Sequence, residues 1–134
     1  MGPTTTALLG FAGWLVLLSL VLGLHRVGLV LSRRKVANTF VPDGSDLPGF
    51  GQRLTRARDN CFETLPVFVA IAFVASALGK LAVTDPLAMW VLYARLAQSL
   101  THIVSTSVPA VMLRATLFFV QVLIYGWWTL RLFA

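Results

Sequence analysis

Four apolar stretches, each about as long as a membrane-spanning helix, occupy most of this 134-residue chain. A helix that crosses the hydrocarbon core of a bilayer needs roughly 20 predominantly apolar residues. Such stretches lie at residues 6–31, 56–79, 86–107 and 109–133. Because 57% of the residues are hydrophobic and only 12% are charged, a soluble domain of this size would lack polar surface. The sequence therefore predicts an all-α integral membrane protein, with residues 1–134 forming one domain of four transmembrane helices.

The excess of positive charge is concentrated around the loop predicted at residues 32–55. The chain has 11 lysines and arginines against 5 acidic residues. The basic residues that flank this loop are Arg33, Arg34, Lys35, Arg53, Arg56 and Arg58. The positive-inside rule then predicts a cytoplasmic loop, with both termini on the other side of the membrane. Since topology explains the charge, we predict membrane lipids rather than nucleic acid as partners, and the compact chain favours a bacterial inner membrane.

A polar stripe begins the second span. Arg56, Asn60 and Glu63 follow the spacing i, i+4, i+7, so they share one face of a helix. A charged side chain near the bilayer centre costs roughly 2.5–3.5 kcal/mol, and such residues usually face protein or a wet cavity. A guanidinium, an amide and a carboxylate offer partners for a carboxylate, a peptide-like group and an ammonium. The stripe predicts a site for a small zwitterionic ligand with excess negative charge.

The third and fourth spans also carry polar faces. These comprise Arg95, Gln98, Ser99 and His102 in the third span, and Arg114, Gln121 and Tyr125 in the fourth. Such residues can join helices without any further role, which is the interpretation we prefer for Ser99 and Gln121. We expect Arg95 to be structural and to pair with Glu63 or with a helix carbonyl. His102 is either a packing residue or a proton donor or acceptor.

The segment "RLTRARDNCFETLPVF" resembles the second-helix signature of the MAPEG family, the membrane-associated proteins of eicosanoid and glutathione metabolism. That signature is an arginine, three residues, an asparagine, two residues, a glutamate, two residues and a proline. The segment "YARLAQSLTH" and the pair Arg33-Arg34 are also similar to the family, and the resemblance covers nearly the whole chain. It implies a protein like the microsomal glutathione transferases, assembled as a homotrimer with glutathione bound between neighbouring protomers.

The resemblance also implies roles for individual residues. The implied glutathione-binding residues are Arg33, Arg34, Arg56, Asn60, Glu63 and Gln98. The implied activity is that of a transferase or peroxidase, in which the thiol of glutathione, as co-substrate, attacks a lipophilic electrophile or reduces a lipid hydroperoxide. A nearby cation stabilises a thiolate, and Arg114 and His102 are the candidate catalytic residues. The single cysteine excludes an intrachain disulfide and a thiolate metal cluster, and we predict no metal site.

Two alternatives remain open at this stage. The sequence departs from the leukotriene-synthesising relatives at Thr64, Gln98 and His102, where those relatives have tyrosines. This departure favours a non-catalytic, lipid-binding scaffold protein with the same fold. A small transporter or channel is disfavoured, because the outer halves of the first two spans are almost wholly apolar.

Overall fold

A computed structural model describes residues 1–47 and 49–134, and four α-helices make up most of it. These are α1 (Pro3–Leu31), α2 (Phe50–Ala77), α3 (Leu81–Val104) and α4 (Val108–Phe133). Three of them, α1, α2 and α4, are long and apolar enough to cross a membrane. At 1.5 Å per residue, the 24 residues of α3 extend for about 36 Å, which also exceeds the hydrocarbon thickness. The prediction of an all-α membrane protein with a four-helix bundle is confirmed.

The helix ends differ from the predicted spans mainly in α2 and α3. Both α2 and α3 begin earlier in the chain than the apolar stretches, because helical hydrogen bonding continues beyond the residues that lie in hydrocarbon. The third helix also ends earlier, at Val104. Ser105 there adopts an extended conformation, and its Oγ accepts a hydrogen bond from the N–H of Ser107 at 3.1 Å.

Short connections make α2, α3 and α4 consecutively antiparallel, and the His25 ring near the end of α1 lies 5.5 Å from the Phe50 ring at the start of α2. The C-terminal ends of α1 and α3 therefore lie with the N-terminal ends of α2 and α4, beside the long loop, and we call this end of the bundle the loop end. Both α2 and α3 are central, since each contacts the other three helices. At the opposite end, Asp85 accepts a hydrogen bond from the Thr4 N–H at 3.0 Å, and the hydroxyls of Thr4 and Thr84 lie 2.7 Å apart.

An aromatic cluster fills the middle of the bundle. Phe68 of α2 lies with its ring centroid 6.2 Å from that of Phe11 and 5.8 Å from that of Trp128. Tyr125 packs against Trp128 at 5.9 Å. Aromatic pairs at such separations stabilise by about 0.5–1.5 kcal/mol beyond their buried area. The cluster joins α1, α2 and α4 below the loop end.

The loop between α1 and α2 is packed against the bundle. Phe40 lies beneath the cations of Arg26 and Lys35, at 5.5 Å and 5.2 Å from its ring centroid. Lys35 Nζ is 2.8 Å from Asp46 Oδ2, and Leu47 is 3% exposed. The hydrogen bond from Lys35 holds the pKa of Asp46 below its usual value. This pairing is therefore present at neutral pH and is lost as the pH falls through the lowered pKa.

We expect Gly44→Ala, but not Gly79→Ala, to move the loop away from α2. Both glycines have positive φ, 71° and 66°, so both substitutions carry a similar backbone strain of about 1–2 kcal/mol. A Cβ at Gly44 would lie 2.7 Å from Thr55 Oγ1, whereas one at Gly79 would meet no atom within 4 Å. Hydrogen exchange of the Leu47 N–H, which donates to Gly44 O at 3.0 Å, should accelerate in Gly44→Ala alone. Equal exchange in both variants would contradict this account.

Candidate functional site

A polar cavity of about 400 Å³ lies at the loop end, and the predicted stripe on α2 lines it. Its lining comprises Asp43 and Ser45 from the loop, Gln52, Arg56, Asp59, Asn60 and Glu63 from α2, and His102 from α3. The spacing that places Arg56, Asn60 and Glu63 on one helix face thus turns that face toward a single space. This volume lies in the range of cavities that hold small ligands.

A second cavity, of about 330 Å³, continues from the first along α4, and we call it the apolar cavity. It shares Asn60, Glu63 and His102 with the polar cavity. The remaining lining consists of Gln98 and Arg114 together with the apolar residues Val111, Ala115, Phe118 and Phe119. The two cavities therefore form one groove, which changes from polar to apolar at the three shared residues.

Arg95 is fully buried behind this junction, at 0% exposed. Its Nη1 donates hydrogen bonds to the side-chain oxygen of Asn60 and, at 3.4 Å, to the Asn60 carbonyl. The expected partner Glu63 is instead exposed, and Asn60 takes its place. The expectation of a helix carbonyl as partner agrees with the contact to Asn60 O, whereas the expectation of Glu63 was wrong because the exposed Glu63 lines the groove rather than the buried space around Arg95.

Gln98 and Gln121 continue the hydrogen bonds away from Asn60. Gln98 Nε2 donates to Asn60 Oδ1 at 3.3 Å, and Gln98 Oε1 accepts from Gln121 Nε2 at 3.0 Å. Gln121 Nε2 also donates to Leu117 O at 2.8 Å. Gln98 is 2% exposed. Its amide is thus committed to its neighbours, and it borders the apolar cavity mainly as part of the wall.

The two candidate catalytic residues are in direct contact. Arg114 Nη1 lies 2.7 Å from His102 Nδ1. A guanidinium can only donate hydrogen bonds, so Nδ1 must accept, and the His102 ring is neutral with its proton on Nε2. His102, which lines both cavities, therefore keeps a donor at Nε2, while its other nitrogen is occupied by Arg114.

Arg33 and Arg34 lie apart from this groove in the single protomer. Both are exposed at the end of α1, where the Arg34 N–H donates to Leu29 O at 2.9 Å, and neither lines the two cavities. Their role in ligand binding stays a prediction that depends on a neighbouring protomer.

Sequence reasoning missed the contribution of the loop. Asp43 and Ser45 line the polar cavity, and the carboxylate of Asp43 accepts a hydrogen bond from the Ser45 N–H at 2.9 Å. The Pro42-Asp43-Gly44 turn was a visible signal, but no periodicity connects it with α2. Arg53 lines neither cavity, and its Nε donates a hydrogen bond to Ile103 O at 2.7 Å near the end of α3.

The contact between Arg114 and His102 predicts the tautomer of His102. In histidine-labelled protein at neutral pH, we expect the nitrogen spectrum of His102 to show protonated Nε2 and unprotonated Nδ1. Removing the donor in Arg114→Met should make the Nδ1-protonated form of His102 detectable. Arg114→Lys keeps a donor and should therefore keep the Nε2-protonated form. His25 is the only other histidine, so it serves as an internal reference. Protonated Nδ1 in the unsubstituted protein would refute the assignment.

Comparisons with known proteins agree with this architecture. The family model described as the MAPEG family matches residues 4–134, which is nearly the whole chain. A search of curated proteins finds no match, and neither does a search of solved structures. The match covers the four helices apart from Pro3 and every residue that lines the groove, and we conclude that this chain belongs to the MAPEG family.

Proposed function

We propose that this protein is a membrane-embedded, glutathione-dependent transferase or peroxidase. The observation that carries this proposal is the junction of the two cavities at Asn60, Glu63 and His102. A polar ligand in one cavity and a lipophilic molecule in the other would meet there. Membership of the MAPEG family supports glutathione as the polar ligand and a lipid-soluble compound as the second.

The charges that line the polar cavity are complementary to glutathione. At neutral pH glutathione carries two carboxylates and one ammonium. Arg56 offers a bidentate partner for a carboxylate, and Glu63 or Asp43 can accept hydrogen bonds from the ammonium. In a homotrimer, Arg33 or Arg34 of a neighbouring protomer would hold the second carboxylate. With the basic loop end in the cytoplasm, the site would open to a compartment that keeps thiols reduced.

Thiol activation in this proposal comes from Arg114 and His102. The thiolate is the nucleophilic form, and a nearby cation favours it over the thiol. His102 would donate from Nε2 to the sulfur, and Arg114, held 2.7 Å from Nδ1, would supply the positive charge. Because Nδ1 is occupied, the thiol proton would leave to water in the polar cavity. The thiolate would then attack an electrophile lying against Phe118 and Phe119.

A lipid-binding scaffold is the second candidate, and one observation favours it. Thr64 stands where leukotriene-synthesising relatives have a tyrosine, and its hydroxyl donates to Asn60 O at 3.0 Å within its own helix. Thr64 thus has its hydroxyl bonded away from the ligand. A scaffold would still use the apolar cavity for a lipid chain, but it would form no thiolate.

Ultraviolet thiolate absorbance of purified protein mixed with glutathione tests the proposed function. We expect a thiolate signal that is lost in Arg56→Ala, because a hydrogen bond between charged groups contributes about 1.5–3 kcal/mol, or roughly 10–100-fold in affinity. Arg114→Met should keep glutathione binding but reduce the signal.

The matched control is Arg58→Ala, which removes an arginine two positions away that pairs with Asp59 and lines neither cavity of the groove. It should leave the signal unchanged. Lipid binding without glutathione binding in the unsubstituted protein would reject the enzyme in favour of the scaffold.

A further inference from the structure

The side-chain amide of Asn60 has a fixed orientation. Two groups determine it, one of which can only donate hydrogen bonds and the other only accept them. The guanidinium of Arg95 carries only donors, so the Asn60 atom that faces it must be the oxygen. The backbone carbonyl of Leu117 carries only an acceptor, so the Gln121 atom that faces it must be the nitrogen. These contacts are the two ends of one chain of hydrogen bonds.

The two glutamine amides between these ends have only one consistent arrangement. Gln121 Nε2 donates to Gln98 Oε1 at 3.0 Å, and Gln98 Nε2 donates to Asn60 Oδ1 at 3.3 Å. Reversing the Gln98 amide alone would place its oxygen against the oxygen of Asn60 and its nitrogen against the nitrogen of Gln121. Neither hydrogen bond could then form. Gln98 and Gln121 are 2% and 0% exposed, so water does not compete for these hydrogen bonds. A reversed amide would leave buried polar atoms unpaired, which is costly.

This arrangement leaves the nitrogen of Asn60 for the groove. Asn60 Nδ2 donates to no atom within the described part of the chain, and it is not among the enclosed polar atoms without partners. Asn60 itself lines both cavities at their junction. Its two N–H groups are therefore directed away from Arg95 and Gln98, toward the groove.

We propose that Arg95 and Gln121 are positioning residues that hold Asn60 as a hydrogen-bond donor, so that the ligand must present an acceptor oxygen at the junction. A carbonyl or a carboxylate satisfies this requirement, whereas an ammonium does not. The identification of that oxygen with glutathione rests on the proposed function, and glutathione carries both kinds of acceptor. The site should therefore discriminate against a ligand analogue that lacks this acceptor oxygen, because the N–H groups of Asn60 would then stay unpaired.

A substitution of Arg95 can distinguish a positioning role from a purely structural one, because part of its guanidinium has no hydrogen-bond partner among the residues that the structure describes. Its Nε and Nη2 are buried and have no partner among residues 1–47 and 49–134. A buried cation with unpaired donors is costly, so an apolar side chain of similar length offsets the loss of the hydrogen bonds to Asn60. Arg95→Met should therefore keep or raise the thermal stability while it releases the Asn60 amide to rotate.

The first experiment needs no ligand. The chain has two asparagines, Asn38 and Asn60, so asparagine-selective nitrogen labelling gives two side-chain amide signals, and Asn38→Asp assigns them. We expect the Asn60 amide protons of the unsubstituted protein to exchange with water in the open groove. Protected Asn60 protons would mean that the nitrogen is enclosed, and this result would overturn the proposal whatever the ligand is.

The second experiment measures glutathione affinity and thermal stability together. We expect about tenfold weaker binding in Arg95→Met, the loss of about one well-placed hydrogen bond, with an unchanged or higher Tm. Arg95→Lys restores a donor toward Asn60 and should recover part of the affinity. Asn60→Asp keeps an acceptor for Arg95 but removes the donor, so it should bind at least as weakly as Arg95→Met.

A lower Tm in Arg95→Met with unchanged affinity would assign Arg95 a structural role and overturn the proposal. If the unsubstituted protein binds no glutathione, the proposed function fails. In that case the exchange of the Asn60 amide still decides between a donor and an enclosed nitrogen, so the two failures are distinguishable.

Discussion

The hydrogen bond between Arg95 and Asn60 joins the two central helices at the point where the groove changes character. A buried cation in a membrane bundle needs either an anion or polar acceptors, since an isolated charge in hydrocarbon is costly. Here it receives an amide oxygen, a backbone carbonyl and the face of Phe11, whose ring centroid lies 5.2 Å away. This set of contacts fixes the direction of the Asn60 amide at the junction of the two cavities.

The polar residues of α3 can be explained by its central place in the bundle, where it contacts the other three helices. Unlike α1, α2 and α4, α3 contains no stretch apolar enough to be identified as a membrane span from its composition. Arg95, Gln98 and Ser99 are nearly fully buried between neighbouring helices, so their polar atoms face protein rather than lipid. Ser99 packs against the buried Cys61 of α2, whose Sγ lies 3.2 Å from Ser99 Oγ. A helix can therefore be polar by composition and still belong to a membrane bundle.

The groove combines three parts of the chain that have different local constraints. The α2 stripe depends on helix periodicity, the His102–Arg114 contact depends on the antiparallel packing of α3 and α4, and Asp43 depends on the docking of the loop. Only the first of these is encoded at a fixed sequence spacing. The change from a charged lining to Phe118 and Phe119 within one groove is the feature on which the proposed reaction between a polar thiol and a lipophilic partner rests.

The sequence by itself determined the four helices, the common face of Arg56, Asn60 and Glu63, and the family, because hydrophobic length and i, i+4, i+7 spacing are local properties. Only the tertiary structure decided that Arg95 pairs with Asn60 rather than Glu63, that Arg114 contacts His102, and that Asp43 reaches the cavity. These contacts join residues that are distant in the chain. Their partners are selected by how the helices rotate and dock against one another, and no spacing within a single helix records that rotation.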